Sequence, residues 1–189
     1  MASMMTHVAI AAEWLARHPD AVGDVGAFLD GTVEPDLAGD KEKSHFGCRE
    51  FTGDIVARNS KKVGVGKFLS THSVKSDYER GVLLHLLTDE EYYTKLLPND
   101  IIRTRGWDEY ANDVVYTWYL YELGLFEQYG AWLSRAREGE RVRELCHKWR
   151  ASDEARFANK PATMLYTKAD LMAFIAKMAG ADIDKLARV

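Results

Sequence analysis

Proline and cysteine are scarce: four prolines and two cysteines in 189 residues. Cys48 and Cys146 stand far apart with no C-x-x-C pair, which excludes a disulfide framework and a thiolate metal site. There is no excess of basic residues. Lys plus Arg number 25 against 29 Asp plus Glu, a net charge of −4, so nothing points to nucleic acid as a partner. No apolar run reaches the roughly 18 residues of a membrane span. The opening stretch, MASMMTHVAIAAEWLARHP, has no basic segment ahead of its apolar part, and His7 and Glu13 interrupt that part. No signal peptide is expected, and a reducing cytoplasm is the expected compartment.

What is present fits a globular chain: 47% hydrophobic and 29% charged residues. The length suits one domain with a core that needs no staple. Strand-like alternation is rare and helical periods are clear. Thr6 to His18 carries His7, Ile10, Ala11 and Trp14 on one face of a helix. Ala21 to Leu29 reads as a shorter helix stopped by Gly31. Ser76-Asp77-Tyr78-Glu79 is a capping box opening a helix that should run to Leu97, ahead of Pro98. Further helices are expected at Trp107–Gln128, Glu138–Arg150 and Lys168–Ala179, the last behind a second capping signature at Thr167. The expected fold is all-α, a single helical domain with a long irregular excursion, Gly31 to about Lys67, between the second helix and the central core helix.

Chemistry concentrates on that core helix and the excursion. Tyr78, Val82, His85, Asp89, Tyr92 and Leu96 recur at alternating spacings of four and three, the inward seam of a packed helix. His85 and Asp89 therefore point the same way, one turn apart. A buried carboxylate is costly unless it is paired or bound to a metal. A mutual His–Asp hydrogen bond in the core is one reading. The other is a metal site, and His7 on the inward stripe of the first helix supports it, as do Asp36 and His45 on the excursion. That mixture of imidazole and carboxylate suits zinc, or another divalent transition metal such as iron or manganese.

Taken in order, Met5-Thr6-His7, Glu34-Pro35-Asp36, Ser44-His45-Phe46 and Gly81-Val-Leu-Leu-His85-Leu-Leu-Thr-Asp89 resemble the bacterial zinc-dependent phospholipase C family, and more distantly the related zinc nucleases. The resemblance covers about residues 5–93. It implies an all-helical fold that cleaves phosphate esters at a zinc cluster. By resemblance, Asp36, His45, His85 and Asp89 bind one metal, and His7 serves a neighbouring ion bridged by Asp89. The family's H-x-x-x-E pair has no counterpart, since Ala151 stands four residues after His147.

Other motifs fail. Gly64-Val-Gly66-Lys67-Phe68 has the wrong spacing for a P-loop and lacks its Ser or Thr. No G-x-S-x-G elbow occurs. Two E-x-x-H pairs, Glu42–His45 and Glu144–His147, with Glu13 and Glu122, mimic a di-iron carboxylate bundle. Asp113 is a spare carboxylate, read more readily as solvent-facing. Cys48 reads as a reduced thiol. The expectation is a metal-dependent hydrolase of a small anionic substrate, a phosphate ester by the resemblance. The ion would activate water, with Asp36 among its ligands and Asp89 a ligand or the general base. Lys41, Lys43, Lys61 and Lys62 flank the excursion and could attract an anion. The alternative is a non-catalytic, metal-stabilised binding or structural protein.

Overall fold

The computed structural model describes residues 2–47 and 62–187. Among them the fold is all-α. Ten α-helices follow one another: α1 Met4–Arg17, α2 Val25–Leu37, α3 Lys41–His45, α4 Val65–Thr71, α5 Asp77–Glu91, α6 Asn99–Arg103, α7 Trp107–Tyr129, α8 Gly139–Phe157, α9 Lys168–Met178 and α10 Ile183–Leu186. None is long and apolar enough to cross a membrane.

Local chemistry sets the ends. Ser76 and Glu79 close the expected capping box on α5, and Thr167 and Asp170 close another on α9. Past Glu91 the core helix widens into one π-helical turn, Tyr92–Leu96, before Pro98. Inward residues Val82, His85, Asp89 and Tyr92 are buried as the seam predicts, but Tyr78 is not. Its hydroxyl donates to Glu34 at the surface instead.

The second helix corrects the sequence reading. Gly31 does not stop it. Asp24 caps α2, which runs on to Leu37 with Pro35 in its last turn. Gly31 is there for packing. A Cβ on it would overlap the Tyr78 carbonyl, and a Cβ on Gly81 would overlap that of Phe28. Two glycines, one per helix, let α2 and α5 lie backbone against backbone. The helices then run side by side in constant register. The Asp24 N–H donates to Asp77 and the Thr32 carbonyl meets His85, each 53 positions apart. One turn further on, the same offset pairs Asp36 with Asp89.

The excursion between α2 and α5 is present, but it starts at Ala38 and holds α3 and α4. Phe46 ends α3 in the left-handed region, φ 56°. It pairs with Val63 in an isolated antiparallel bridge, and the Gly64 N–H donates to the His45 carbonyl. The readings of Cys48 and Lys61 fall outside the described residues.

Glycine substitutions should separate packing from propensity. Gly124, in exposed α7, has open space around its Cβ position, so Gly124→Ala should raise stability by about 0.5–1 kcal/mol. Gly31→Ala gains the same helix propensity yet must push two backbones apart, and should lose about 1–3 kcal/mol. Urea unfolding of both variants checks this. A Gly31→Ala protein as stable as the parent would contradict the close crossing.

Candidate metal centre

Four elements deliver five side chains to one point. His7 comes from α1, Asp36 from the last turn of α2, His45 from the last position of α3, and His85 and Asp89 from α5. All five residues predicted from sequence meet. Two of them lie on helix ends, where an irregular loop was expected. His7, His45, His85 and Asp89 are buried, and the Asp36 side chain is only 5% exposed.

The contacting atoms are the Nε2 nitrogens and the carboxylate oxygens. His7 Nε2 lies 3.3 Å from Asp89 Oδ1 and 3.7 Å from Asp36 Oδ2. His45 Nε2 lies 3.3 Å from Asp89 Oδ2 and 3.6 Å from Asp36 Oδ1. His85 Nε2 lies 3.1 Å from His45 Nε2 and 3.7 Å from Asp89 Oδ2. Ligands at about 2.0–2.2 Å around a tetrahedral ion sit about 3.3–3.6 Å from one another. The observed spacings bracket that range. Two overlapping triads, His7–His85–Asp89 and Asp36–His45–His85, have ligand atoms close enough to share an ion.

Hydrogen bonds on the far side of two rings decide which nitrogen carries the proton. His85 Nδ1 lies 2.8 Å from the Thr32 carbonyl oxygen, which can only accept. So Nδ1 holds the proton and Nε2 a lone pair. The Ser44 hydroxyl lies 2.9 Å from both the Pro35 carbonyl and His45 Nδ1; when its single proton goes to Pro35, its oxygen accepts from His45 Nδ1. His45 Nε2 is then also a lone pair. These two Nε2 atoms lie 3.1 Å apart beside two carboxylates, and in the metal-free protein a proton on His45, whose value is raised, sits among them. Only a cation between them, a proton or a metal ion, relieves that arrangement. Both nitrogens of His7 and Asp89 Oδ2 are buried without a hydrogen-bond partner.

The electrostatics follow from burial and charge. Burial drives the His85 imidazole down to about 3, helped by neighbouring His7, and leaves it neutral. Burial alone would raise the Asp36 carboxyl, but His45, His85 and His7 hold it well below the usual range. Asp89 behaves alike: burial opposes its charge, and His45 and His7 help to keep it ionised. Burial lowers His45, and the facing carboxylates of Asp36 and Asp89, 3.6 and 3.3 Å from its Nε2, more than compensate, so its value is raised.

The other readings separate. Asp113 is neither a ligand here nor solvent-facing. It is buried, accepts the Thr163 N–H at 2.9 Å and faces Arg105. The di-iron set does not assemble: Glu13 accepts from Tyr129, while Glu144 and His147 are exposed. Lys41 binds the Asp36 carboxylate and Lys43 lies against Asp40. Lys62 sits over the rings of Tyr93, Trp107 and Tyr110. Sequence reasoning missed the supports. Ser44 stands inside a quoted motif, but its role needed the Pro35 carbonyl to be located. The Thr32 carbonyl and the Ala2 N–H, which donates to Asp89 Oδ1 at 2.6 Å, are backbone groups with no signature. Comparison with protein-family models, curated proteins and solved structures found no match.

Ser44→Ala should weaken zinc binding about 10–100-fold while helicity is kept, because the ring orientation is lost and the ligand is not. Competition with a chelator reads this, and an unchanged affinity would contradict the tautomer argument. Stability should also depend on pH. His45 is raised in the fold, so its proton stabilises the metal-free protein fully below the ordinary value of 6.5. That contribution is lost as pH rises through the raised value. Zinc displaces the same proton, so its stabilising effect should grow across that window. Melting curves from acid to mildly alkaline pH, with and without zinc, measure both trends.

Proposed function

We propose that this protein is a metal-dependent hydrolase acting on a phosphate ester, with zinc or another divalent transition ion held by His7, Asp36, His45, His85 and Asp89. The observation that carries the metal is the convergence of three buried Nε2 atoms on two carboxylates, with those of His45 and His85 only 3.1 Å apart and the buried atoms of His7 and Asp89 unpartnered around them. In its favour, an all-imidazole and carboxylate sphere suits a borderline divalent ion, and the domain is large enough to fold without a metal staple. Such an ion supplies a Lewis acid that polarises a phosphoryl oxygen and makes water acidic near neutral pH.

The two carboxylates differ in what they can do. Asp89 is fully buried, with Oδ1 taken by the Ala2 N–H and Oδ2 between His45 and His85. It is committed to holding the site together. Asp36 is the one of the five that lines an open cavity. Lys41 occupies its Oδ1, and Oδ2 faces only His7, at 3.7 Å. In this reading Asp36 Oδ2 orients the attacking water, and the proton that the water gives up passes to solvent through the open cavity. The oxygen–phosphorus bond to the alcohol breaks as water's oxygen bonds phosphorus, and the departing oxygen takes up a proton from solvent to leave as the alcohol. Lys41 fixes the Asp36 carboxylate rather than waiting free for an anion. The resemblance to zinc-dependent phospholipases C agrees with this ligand set, and the cytoplasm remains the proposed compartment.

The second reading, a structural ion, has its own support: five protein ligands can fill a coordination sphere with no place left for water. The two diverge on Asp36→Asn. A catalytic site should keep its fold, bind zinc more weakly and, at saturating zinc, lose hydrolysis of a general phosphoesterase substrate at least about 100-fold. A structural site should lose melting temperature instead, because binding energy is then folding energy. A parent protein that binds zinc yet cleaves no phosphate ester would leave the structural reading.

A further inference from the structure

A cavity of about 370 Å³ opens beside the cluster. Three of its lining residues belong to the cluster's surroundings: Asp36 itself, Lys41 on its carboxylate, and Ala2, whose N–H reaches Asp89. The opposite wall comes from α7 and α8 and is largely apolar: Trp118, Tyr119, Leu123, Phe126, Cys146 and Trp149. It is held in shape without a ligand. The Trp118 indole N–H donates to Tyr92 at 2.9 Å, and the Phe126 ring meets His147 edge to face at 5.1 Å. Leu123 and Trp149 stay well exposed at its rim.

Two polar groups in the middle of this wall are muted, while His147, Arg150 and Asp153 of α8 also line the cavity. Burial raises the Glu122 carboxyl, and burial pushes the Cys146 thiol up to about 12. The Glu122 Oε1 atom already accepts the Met5 N–H at 3.1 Å. The aromatic and aliphatic part of this wall favours an apolar group attached to the phosphate rather than the phosphate itself. The volume lies at the small end of the roughly 300–1,000 Å³ of single-ligand pockets. It has room for one chain or one ring system, not two long chains.

We propose that the α7–α8 cavity is the subsite for the alcohol part of the substrate, and that the substrate is a phosphate ester of one single-chain or aromatic apolar alcohol. This rests on the hydrolase reading, which supplies the place for the phosphate. The ester's charged end goes to the cluster at Asp36, and its apolar end lies against Trp118, Leu123 and Trp149. Each methylene removed from water there should tighten binding about threefold to fourfold until the cavity is full.

Non-hydrolysable alkylphosphonates test this on the zinc-loaded and the metal-free protein, followed by quenching of Trp118 and Trp149 fluorescence. Affinity should climb from methyl- through butyl- to octylphosphonate by the stated factor per methylene, and phenylphosphonate should bind more tightly than methylphosphonate. Leu123→Asp, at the exposed rim, should flatten the series while leaving zinc content unchanged. A chain-length dependence that persists without zinc supports the subsite even if the protein holds no metal and cleaves no ester, which separates it from the hydrolase reading. Affinity independent of chain length, a series unaffected by Leu123→Asp, or preferential binding to vesicles of a two-chain phosphatidic acid would each overturn it.

Discussion

The close crossing of α2 and α5, with Gly31 against Tyr78 and Gly81 against Phe28, sets the geometry on which the rest depends. With no Cβ on either glycine, α2 and α5 approach until backbone meets backbone, and their turns fall into step. Asp24 meets Asp77 and Thr32 meets His85, and the next turn brings Asp36 beside Asp89. Had the helices packed at the usual 8–10 Å on larger side chains, the Thr32 carbonyl could not reach His85, and Asp36 would fall short of the cluster. One packing choice thus sets both the ring orientation of a central histidine and the separation of the two carboxylates.

The cluster built on that register is in electrostatic conflict without a cation. Thr32 and Ser44 hold their histidines so that both Nε2 lone pairs turn inward, where two ionised carboxylates wait. Burial keeps water from relieving the crowding, and low polarity makes each unmet charge expensive. A proton on His45 relieves part of this. It leaves both ring nitrogens of His7 without a partner, and a multivalent ion would take Nε2, the one that faces the carboxylates. Pro35 contributes indirectly: placed in the last turn of α2, it leaves a carbonyl that the Ser44 hydroxyl can reach.

Much of this was legible in the sequence, for definite reasons. Capping boxes at Ser76 and Thr167 and the four-three seam of α5 are local patterns, and they placed the core helix and both of its polar residues. His7, Asp36 and His45 could be nominated because such groups on an inward stripe or beside it need an explanation. The boundaries of α2 could not be read, because a glycine within a helix looks like a stop until the partner glycine is known. Nor could Asp113, which sits inside on a helix with rings on several faces and pins the Thr163 N–H. Backbone partners such as Thr32 and Ala2 leave no trace in residue type. The cavity between α7 and α8 arises from tertiary packing, and its aromatics read equally well as core.

X-ray absorption at the zinc edge of the zinc-loaded protein addresses the central claim directly, since it reports which atoms surround the ion. The account predicts one bound ion with only nitrogen and oxygen neighbours at about 2.0–2.2 Å, and the multiple scattering of several imidazoles. Sulfur at about 2.3 Å, or an ion with no more than one imidazole, would place the metal elsewhere and contradict a centre built from His7, Asp36, His45, His85 and Asp89.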